Sequence, residues 1–271
     1  MAELPLNLHC LRAAARGSTV STKVTVATLL CDRKLRSQLV AIPHVLKIVG
    51  LARLYINIET ELRGEEFEAA YGPLRRLLAA QTQIPVDTDV WSWDSSWRLR
   101  PAYDQDQRRL EGIVMARNMA RAYMLRMDAT HLLFVDSDVI AAPDGLQKLL
   151  ALNHPICGGL VPGRGPDSRV YYAYDIRGQV PGHPEAIECS HGTCGYMLIR
   201  RDVLSTLAFR FGASRETPGR ALSEDPAFCS DAFLNGFGRY WIHRGVRAEH
   251  WDDPMCPLTA NAIAIDDEIP H

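Results

Sequence analysis

Two aspartates separated by one residue end a short apolar segment near the middle of the chain. Residues 132–135 read Leu-Leu-Phe-Val, and Asp136, Ser137 and Asp138 follow directly. An apolar run of this length is typical of a strand buried on both faces, and such strands belong mostly to parallel sheets. Ligands bind at the carboxyl ends of such strands, where two carboxylates suit Mg²⁺ or Mn²⁺. The pattern therefore indicates a metal site that neutralises a bound phosphate.

The same residues also have a purely structural explanation. Asp and Ser side chains accept hydrogen bonds from free backbone N–H groups, and they are frequent in turns. Pro143, Asp144 and Gly145, a few residues downstream, are typical of the start of a helix. Taken by itself, the Asp-x-Asp spacing favours a cap or a turn over a metal site, so the choice depends on other groups of residues in the chain.

Composition indicates one large domain without an obvious electrostatic partner. The chain has 271 residues, of which 47% are hydrophobic, and 30 basic against 32 acidic residues leave a formal charge of -2. No segment approaches the roughly 20 apolar residues of a membrane-spanning helix. Charges interrupt residues 1–16, which therefore lack the apolar core of a signal peptide. The seven cysteines form no Cys-x-x-Cys pair, and together these features predict a soluble protein of the cytoplasm.

Strand-like and helix-like segments alternate along the first half of the chain. Three strands are predicted, with a helix after each of the first two, and in chain order the segments are 24–30, 36–51, 53–58, 65–80 and 84–91. Within the first of these helices Ile42, Leu46 and Val49 share one side, which is expected to face the core. A further strand is predicted at 156–161. This alternation predicts an α/β fold with a parallel sheet.

A longer helix is predicted at 108–127, directly before the strand that ends at the two aspartates. Its periodicity places Ala116, Ala120 and Tyr123 towards the core. Arg117 and Arg121 lie one turn apart on another face, where a phosphate and bulk solvent are alternative partners.

These segments together resemble a known family. The run Ala116-Arg117-Asn118, followed after about a dozen residues by the strand and Asp136-Ser137-Asp138, is similar to the core signature of nucleotide-sugar-dependent glycosyltransferases of the GT-A type, close to family 2. The resemblance implies a Rossmann-like GT-A fold with a central, mostly parallel sheet flanked by helices. It also implies that Asp138 contacts the metal directly, while Asp136 contacts ribose or a metal-bound water beside it.

Two later segments extend the resemblance. The segment 192–201 is similar to the part of the family that precedes the acceptor-side helix, and Gly195 there would let the backbone approach a donor sugar. Glu224 and Asp225 resemble the family's Glu-Asp motif at the start of a helix. By this resemblance Asp225 is the general base towards an acceptor hydroxyl, and Glu224 is an acceptor-binding neighbour. Complementing the helix dipole is the alternative explanation of both carboxylates.

The C-terminal part of the chain offers a third metal ligand. In many metal-dependent members a late histidine completes the coordination, and His250 matches it by order and by the strand-like segment before it, with His243 as a rival. An imidazole ligand suits Mn²⁺ better than Mg²⁺. The resemblance therefore implies Mn²⁺, or else Mg²⁺, together with a UDP- or GDP-sugar as the donor.

The family binds the nucleotide beside residues that follow the first three strands. By that topology the base and ribose would contact the residues Thr28, Asp32, Arg33, Glu59 and Asp94. Arg117 would assist at the ribose or the phosphates. The segment 91–97 holds three of the five tryptophans near the same edge, where stacking on a base or sugar and simple packing of the loop remain alternatives.

The resemblance implies a hexosyl- or pentosyltransferase that moves a sugar to an acceptor hydroxyl. Residues 1–22 would form an arm before a single domain, 23–271, whose nucleotide-sugar-binding half is 23–165 and whose acceptor-binding half is 166–271. Whether the transfer inverts or retains the anomeric configuration stays open. The acceptor also stays open between a small metabolite, a protein, a glycan and a modified base in DNA. A viral enzyme of this last kind would act in the host cytoplasm.

Several arginines keep the nucleic-acid option in view, because a local basic patch can bind phosphates in a neutral protein. They stand at positions 98, 100, 108, 109, 117, 121 and 126. Two other classes of protein remain as alternatives: a nucleotidyltransferase, and a non-catalytic module that binds a nucleotide sugar. A dehalogenase-like phosphatase is disfavoured, because its Asp-x-Asp follows the first strand of the core and here at least three strands precede it.

Overall fold

A nine-stranded sheet flanked by helices forms the centre of the molecule. The computed structural model describes residues 22–31, 41–80, 84–92, 102–162, 174–216, 221–253 and 256–258. Five helices with assigned bounds lie in these ranges: α1 (Gly64–Ala79), α2 (Ala102–Arg126), α3 (Gly145–Ala151), α4 (Arg201–Thr206) and α5 (Glu224–Leu234). None of the helices described is long and apolar enough to cross a membrane.

The strands belong to one large and two small sheets. In chain order they are β1 (Val24–Cys31), β2 (Leu51–Glu59), β3 (Val86–Trp91), β4 (His131–Val135), β5 (Val139–Ile140), β6 (Ile156–Leu160), β7 (Tyr174–Val180), β8 (His183–His191), β9 (Tyr196–Arg200), β10 (Gly212–Ala213), β11 (Ala221–Leu222), β12 (Tyr240–Arg247), β13 (Glu249–Asp253) and β14 (Cys256–Leu258). The large sheet has the order β3-β2-β1-β4-β9-β6-β12-β8-β7, β10 pairs with β11, and β5 joins β13 and β14.

The strand order creates a crevice beside β1. Strands β3, β2, β1 and β4 are parallel, whereas β9 and β8 run against their neighbours. The chain builds outwards from β1 through β2 to β3 and then returns to place β4 on the other side of β1. Such a reversal leaves space at the carboxyl ends of the strands, where α/β proteins bind ligands. The predicted α/β fold with a mostly parallel, helix-flanked sheet is confirmed.

Strand β4 is buried on both faces, as its apolar sequence predicts. Leu133 and Val135 belong to one hydrophobic cluster of the core, and Leu132 and Phe134 belong to the other. All four residues are inaccessible to solvent. Because successive side chains of a strand point to opposite faces, only an uninterrupted apolar run can satisfy two cores at once.

The predicted helix 36–51 is wrong at its C-terminal end. Residues 41–45 are helical, turns follow, and β2 already begins at Leu51. The backbone N–H of Val49 donates to the carbonyl oxygen of Pro143 (2.9 Å), and Gly50 adopts a φ of 89° that a helix cannot contain. Val49 is consequently 47% exposed and does not face the core, whereas Ile42 does. The first residues of the predicted helix, 36–40, lie outside the described residues.

The remaining predicted elements occur where expected. Strands β1, β2, β3, β4 and β6 and helix α1 match their predicted segments to within two residues, and α2 begins six residues earlier than predicted. The end of α2 is determined by Arg201, which lies far away in the sequence. Its guanidinium donates to the carbonyl oxygens of Leu125 (2.7 Å), Met127 (2.8 Å) and Ala129 (3.0 Å). These contacts satisfy carbonyl groups that a helix C-terminus leaves without partners.

We expect replacement of Arg201 by Met to lower the free energy of unfolding by about 2–4 kcal/mol, because several carbonyl oxygens lose a charged donor together. Urea denaturation of both proteins measures the difference. Arg200→Met is the matched control, since Arg200 is half-exposed and its guanidinium pairs with Asp202 on the surface. An equal effect of the two substitutions would contradict this role of Arg201.

Candidate active site

A cavity of about 480 Å³ opens at the carboxyl ends of β1 to β4. Its walls are the last residues of β1, β2 and β3, the turn after β4, the inner face of α2, the turn before β9 and the first turn of α5. The cavity brings together seven of the twelve predicted catalytic, nucleotide-binding and metal-binding residues: Glu59, Arg117, Asp136, Asp138, Gly195, Glu224 and Asp225. Arg108 and Arg109, from the group of arginines noted in the sequence, also line it.

Arg117 is buried in the wall of this cavity and is not a solvated surface residue of α2. Only 3% of it is exposed, and its Nη2 donates to Asp136 Oδ1 (2.8 Å). The guanidinium carbon lies 4.7 Å from the centre of the Phe134 ring. Among the described residues, Nε and Nη1 have no hydrogen-bond acceptor. The guanidinium is therefore oriented on one side and keeps donors for a ligand on the other.

The charge of Arg117 is maintained by acidic groups around it. Burial acts against the charged form, yet the pKa of Arg117 lies above its ordinary value, because Asp136 and then the Cys194 thiol, Asp225 and Glu224 favour the cation. Asp136, Glu224 and Asp225 thus surround one buried cation, although α2, the turn after β4 and α5 come from distant parts of the chain.

One carboxylate oxygen of Asp225 accepts hydrogen bonds from the protein, and the other has no hydrogen-bond donor among the described residues. Its Oδ2 accepts hydrogen bonds from the backbone N–H of Cys194 (3.0 Å) and from the hydroxyl of Thr193 (3.2 Å). Its Oδ1 is buried and has no donor among the described residues. A carboxylate fixed in this way can receive a proton from a ligand in the cavity, provided the ligand comes within hydrogen-bond reach.

Glu224 lies beside Asp225 in the first turn of α5 and is 8% exposed. Burial, followed by the charge of Asp225, raises the pKa of Glu224 to about 7, while Arg117 acts in the opposite direction. Near neutral pH this side chain therefore exists in both protonation states, so it can donate or accept a hydrogen bond.

We expect Glu224→Gln to be more stable than the parent at pH 8, and we expect its advantage in the free energy of unfolding to exceed that at pH 5 by on the order of 1–3 kcal/mol. The folded-state pKa of about 7 exceeds the ordinary value of 4.5. The proton on Glu224 therefore contributes stability that is fully present below about pH 4.5 and is lost as the pH rises through 7. Calorimetric melting of parent and variant between pH 5 and pH 8 measures the effect. A difference in Tm that does not grow with pH would contradict the raised pKa.

Asp138 is buried in the cavity wall at 1% exposure and lies next to β5. Strand β13 pairs with β5 so that His250 stands opposite Val139, the residue after Asp138. The side chain of His250 lies outside what the structure describes, and the described side chains contain no group of three His, Cys, Asp or Glu that could hold a metal ion. Asp136 and Asp138 supply two carboxylates to the cavity, a donor set that fits a hard divalent cation.

Other predicted residues have varied positions. Glu59 lines the cavity, whereas Thr28 is fully buried within β1 and does not. The rival ligand His243 also does not line the cavity, and its Nδ1 accepts a hydrogen bond from the backbone N–H of Gly245 (3.0 Å). Burial lowers the pKa of His243. Asp32, Arg33 and Asp94 lie outside the described residues.

The structure adds Asn57, which was not predicted as a site residue, and it places in the cavity wall Trp91, one of the three tryptophans of 91–97 for which stacking on a base or sugar and packing of the loop were alternatives. Both line the cavity, and the indole N–H of Trp91 donates to Asn57 Oδ1. The amide nitrogen of Asn57 donates in turn to the hydroxyl of Tyr55 (3.3 Å). Their positions at the carboxyl ends of two adjacent predicted strands were the available signal. Thr193 had no comparable signal, because its role depends on a contact with α5.

Comparison with known proteins relates the fold to enzymes that transfer sugars. No protein-family model and no curated protein matches the sequence. The mannosyltransferase PcManGT from Pyrobaculum calidifontis, in complex with GDP-Man and Mn²⁺, is similar with a TM-score of 0.52 at 11% identity, over 84% of this chain and 57% of that one. S. aureus TarS is similar with a TM-score of 0.50 at 14% identity, over 83% of this chain and 36% of that one. This chain thus spans less than two thirds of either protein, and what it shares with them is the fold.

Proposed function

We propose that the protein is a metal-dependent glycosyltransferase that moves a hexosyl or pentosyl group from a UDP- or GDP-sugar to an acceptor hydroxyl. The observation that carries this proposal is the convergence of Asp136 and Asp138 with Glu224 and Asp225 on one cavity around Arg117. A fold shared with a mannosyltransferase that binds GDP-Man and Mn²⁺ is consistent with it. In this proposal residues 23–165 form the half of the domain that binds the nucleotide sugar.

The cavity needs a cation if it is to bind a diphosphate. Its lining carboxylates outnumber its lining arginines, which are Arg108, Arg109 and Arg117. Asp138 and Asp136 would hold Mn²⁺ or Mg²⁺, and His250 would be the third ligand. When bound, the ion supplies positive charge that stabilises the leaving diphosphate. Arg117 remains charged, orients Asp136 and offers Nε and Nη1 to phosphate or ribose oxygens.

In the transfer step, Asp225 acts on the acceptor. Its Oδ1 takes the proton of the acceptor hydroxyl while that oxygen forms a bond to the anomeric carbon. The bond from the anomeric carbon to the diphosphate oxygen breaks, and its electron pair leaves with the nucleoside diphosphate. Glu224 binds a neighbouring acceptor group, and Gly195 lets the sugar lie close to the backbone. The acceptor half is therefore 166–271.

The end of the cavity formed by β1 to β3 would bind the nucleotide, through Glu59 and, beyond the described residues, Asp32, Arg33 and Asp94. We expect Trp91→Leu to weaken binding of UDP or GDP about tenfold, since stacking contributes about 1–3 kcal/mol per base. Trp91→Phe should retain most of the affinity. Calorimetric titration measures both, and equal affinities of Trp91→Leu and the parent would contradict this assignment.

The test is a panel of UDP- and GDP-sugars with Mn²⁺, read by release of nucleoside diphosphate. Asp138→Ala and Asp225→Ala should abolish release, whereas Asp144→Ala, which removes an exposed carboxylate, should not. Acceptors for the panel are small metabolites, glycans, a protein and DNA with a hydroxylated base. No release from any donor, or release unchanged in Asp138→Ala, contradicts the proposal. Pyrophosphate release from a triphosphate would instead indicate a nucleotidyltransferase, and binding without release would indicate a non-catalytic module.

A further inference from the structure

Phe209 and Arg210 form a short segment after α4 that connects α2, which carries Arg117, with α5, which carries Asp225. The side-chain amide of Asn118, the residue after Arg117, forms two hydrogen bonds with the backbone of Phe209. Its Nδ2 donates to the Phe209 carbonyl oxygen (2.9 Å), and the Phe209 N–H donates to its Oδ1 (2.9 Å). Two bonds to one residue fix both the position and the orientation of this segment on α2.

The ring of Phe209 extends this connection to α5. It is 3% exposed, stacks on Phe228 with ring centres 4.2 Å apart, and meets Phe134 edge-on at 5.4 Å. Phe228 lies one turn after Asp225 on α5. Phe134 comes two residues before Asp136 and packs under the Arg117 guanidinium. The Phe209 ring therefore contacts both Phe134, which lies just before Asp136, and Phe228, which lies just after Asp225.

Arg210, the next residue, holds α5 by a two-point ion pair. Its Nε donates to Asp231 Oδ2 (2.6 Å) and its Nη2 to Asp231 Oδ1 (2.7 Å), and its Nη1 donates to the carbonyl oxygen of Ala213 (2.9 Å). The Asp231 side chain is only 4% exposed and lies about two turns after Asp225. Because the guanidinium is planar and engages both carboxylate oxygens, it restricts rotation and sliding of α5 more than a single contact would.

These residues are outside the cavity, so they do not touch a ligand there. Asp231 is buried whereas the Arg210 side chain is 24% exposed, and an ion pair with a buried carboxylate is a poor source of net stability compared with apolar side chains of similar volume, although it can specify geometry. Geometry is demanding in this cavity, because Oδ1 of Asp225 must meet an acceptor hydroxyl while the donor is held at Asp136 and Asp138. A displacement of about 1 Å can lower a rate about 100-fold.

We propose that Phe209 and Arg210, bound to Asn118 and Asp231 respectively, are positioning residues that fix Asp225 relative to the donor-binding carboxylates. The inference rests on the proposed glycosyl transfer for its catalytic consequence. The placement of the first turn of α5 by these residues does not depend on any substrate.

The first experiment replaces Arg210 by Lys, which keeps the charge and loses the planar fork. We expect kcat to fall about 10–100-fold, with KM for the donor within about twofold of the parent. Arg200→Lys is the control, because Arg200 forms an equivalent two-point pair with Asp202 (2.7 and 2.6 Å) on the surface, away from the cavity. An unchanged kcat in Arg210→Lys, or an equal decrease in both variants, overturns the inference.

A second variant separates positioning from folding. Arg210→Met with Asp231→Leu removes both members of the buried pair, and Arg215, which lies 3.8 Å from Asp231 Oδ1, is 64% exposed and keeps its charge in solvent. This double variant should melt close to the parent, while kcat falls as in Arg210→Lys. Hydrogen exchange of the backbone amides of Ala227 and Phe228, which follow Pro226 in the first turns of α5, is measured without substrate and should be faster in both variants and unchanged in Arg200→Lys. Unchanged exchange overturns the inference whatever the donor panel shows. If no donor reacts with the parent, the proposed function fails, and the exchange measurement alone then decides the positioning role.

Discussion

Asp225→Asn is expected to lower kcat about 1,000-fold while KM for the donor stays within about twofold, because general-base catalysis contributes about 10²–10⁴. The substitution is nearly isosteric. An Asn side chain can still accept the hydrogen bonds that the Cys194 N–H and the Thr193 hydroxyl donate to Asp225 Oδ2. Its other end, the amide nitrogen, cannot receive a proton at the place now occupied by Oδ1.

Steady-state release of nucleoside diphosphate at saturating donor and acceptor measures the decrease. Asp144→Asn is the matched control, because Asp144 is an exposed carboxylate outside the cavity that pairs with Lys148 (2.8 Å). A calorimetric titration with UDP or GDP shows whether the donor site is intact. If kcat of Asp225→Asn stays within threefold of the parent, Asp225 is not the base, and Glu224 becomes the group to replace next.

The second large effect is expected at Asp138. Asp138→Asn removes a negative charge from the candidate metal site, so we expect Mn²⁺ affinity and Mn²⁺-dependent release of nucleoside diphosphate each to fall at least about 100-fold. Chelation by EDTA should abolish release by the parent, and added Mn²⁺ should restore it. If His250 is the third ligand, Mg²⁺ should restore it less well, since imidazole suits a borderline cation better than a hard one.

Ser137→Ala is the control for Asp138, because it changes the residue between the two aspartates without removing a charge. Mn²⁺ binding is followed directly by electron paramagnetic resonance, so the measurement does not require the correct acceptor. Retention of parental Mn²⁺ affinity in Asp138→Asn would contradict a metal site at these carboxylates. Loss of affinity in His250→Ala would identify the third ligand.

The resemblance to glycosyltransferases singled out the two pairs of carboxylates in the sequence, and local rules predict where each pair stands in the fold. An apolar run that ends in polar residues predicts a buried strand with its side chains at the ligand-binding edge. The Glu224–Asp225 pair stands at the start of a helix, where acidic residues are favoured, and α5 begins at Glu224. Both features depend on neighbours only a few residues away, so the sequence contains the necessary information.

The predicted helix 36–51 shows where such local rules fail. Ile42, Leu46 and Val49 have helical spacing, but the Val49 N–H donates to Pro143, 94 residues later in the chain, and the helix ends before it. Periodicity describes which residues can share a face. It does not describe which distant group will compete for their backbone hydrogen bonds.

The sequence by itself determined the order of the elements from β1 to β4, except for the end of the predicted helix 36–51, together with the burial of β4 and the identity of the acidic residues at the edge of the sheet. Only the tertiary structure decided that Arg117 is buried against Phe134 and lies near Asp136, Glu224 and Asp225, because helical spacing defines a face without saying what will cover it. It also decided which oxygen of Asp225 is held. The donor there is the backbone N–H of Cys194, and since nearly every residue carries that group, only the packing of the chain selects it.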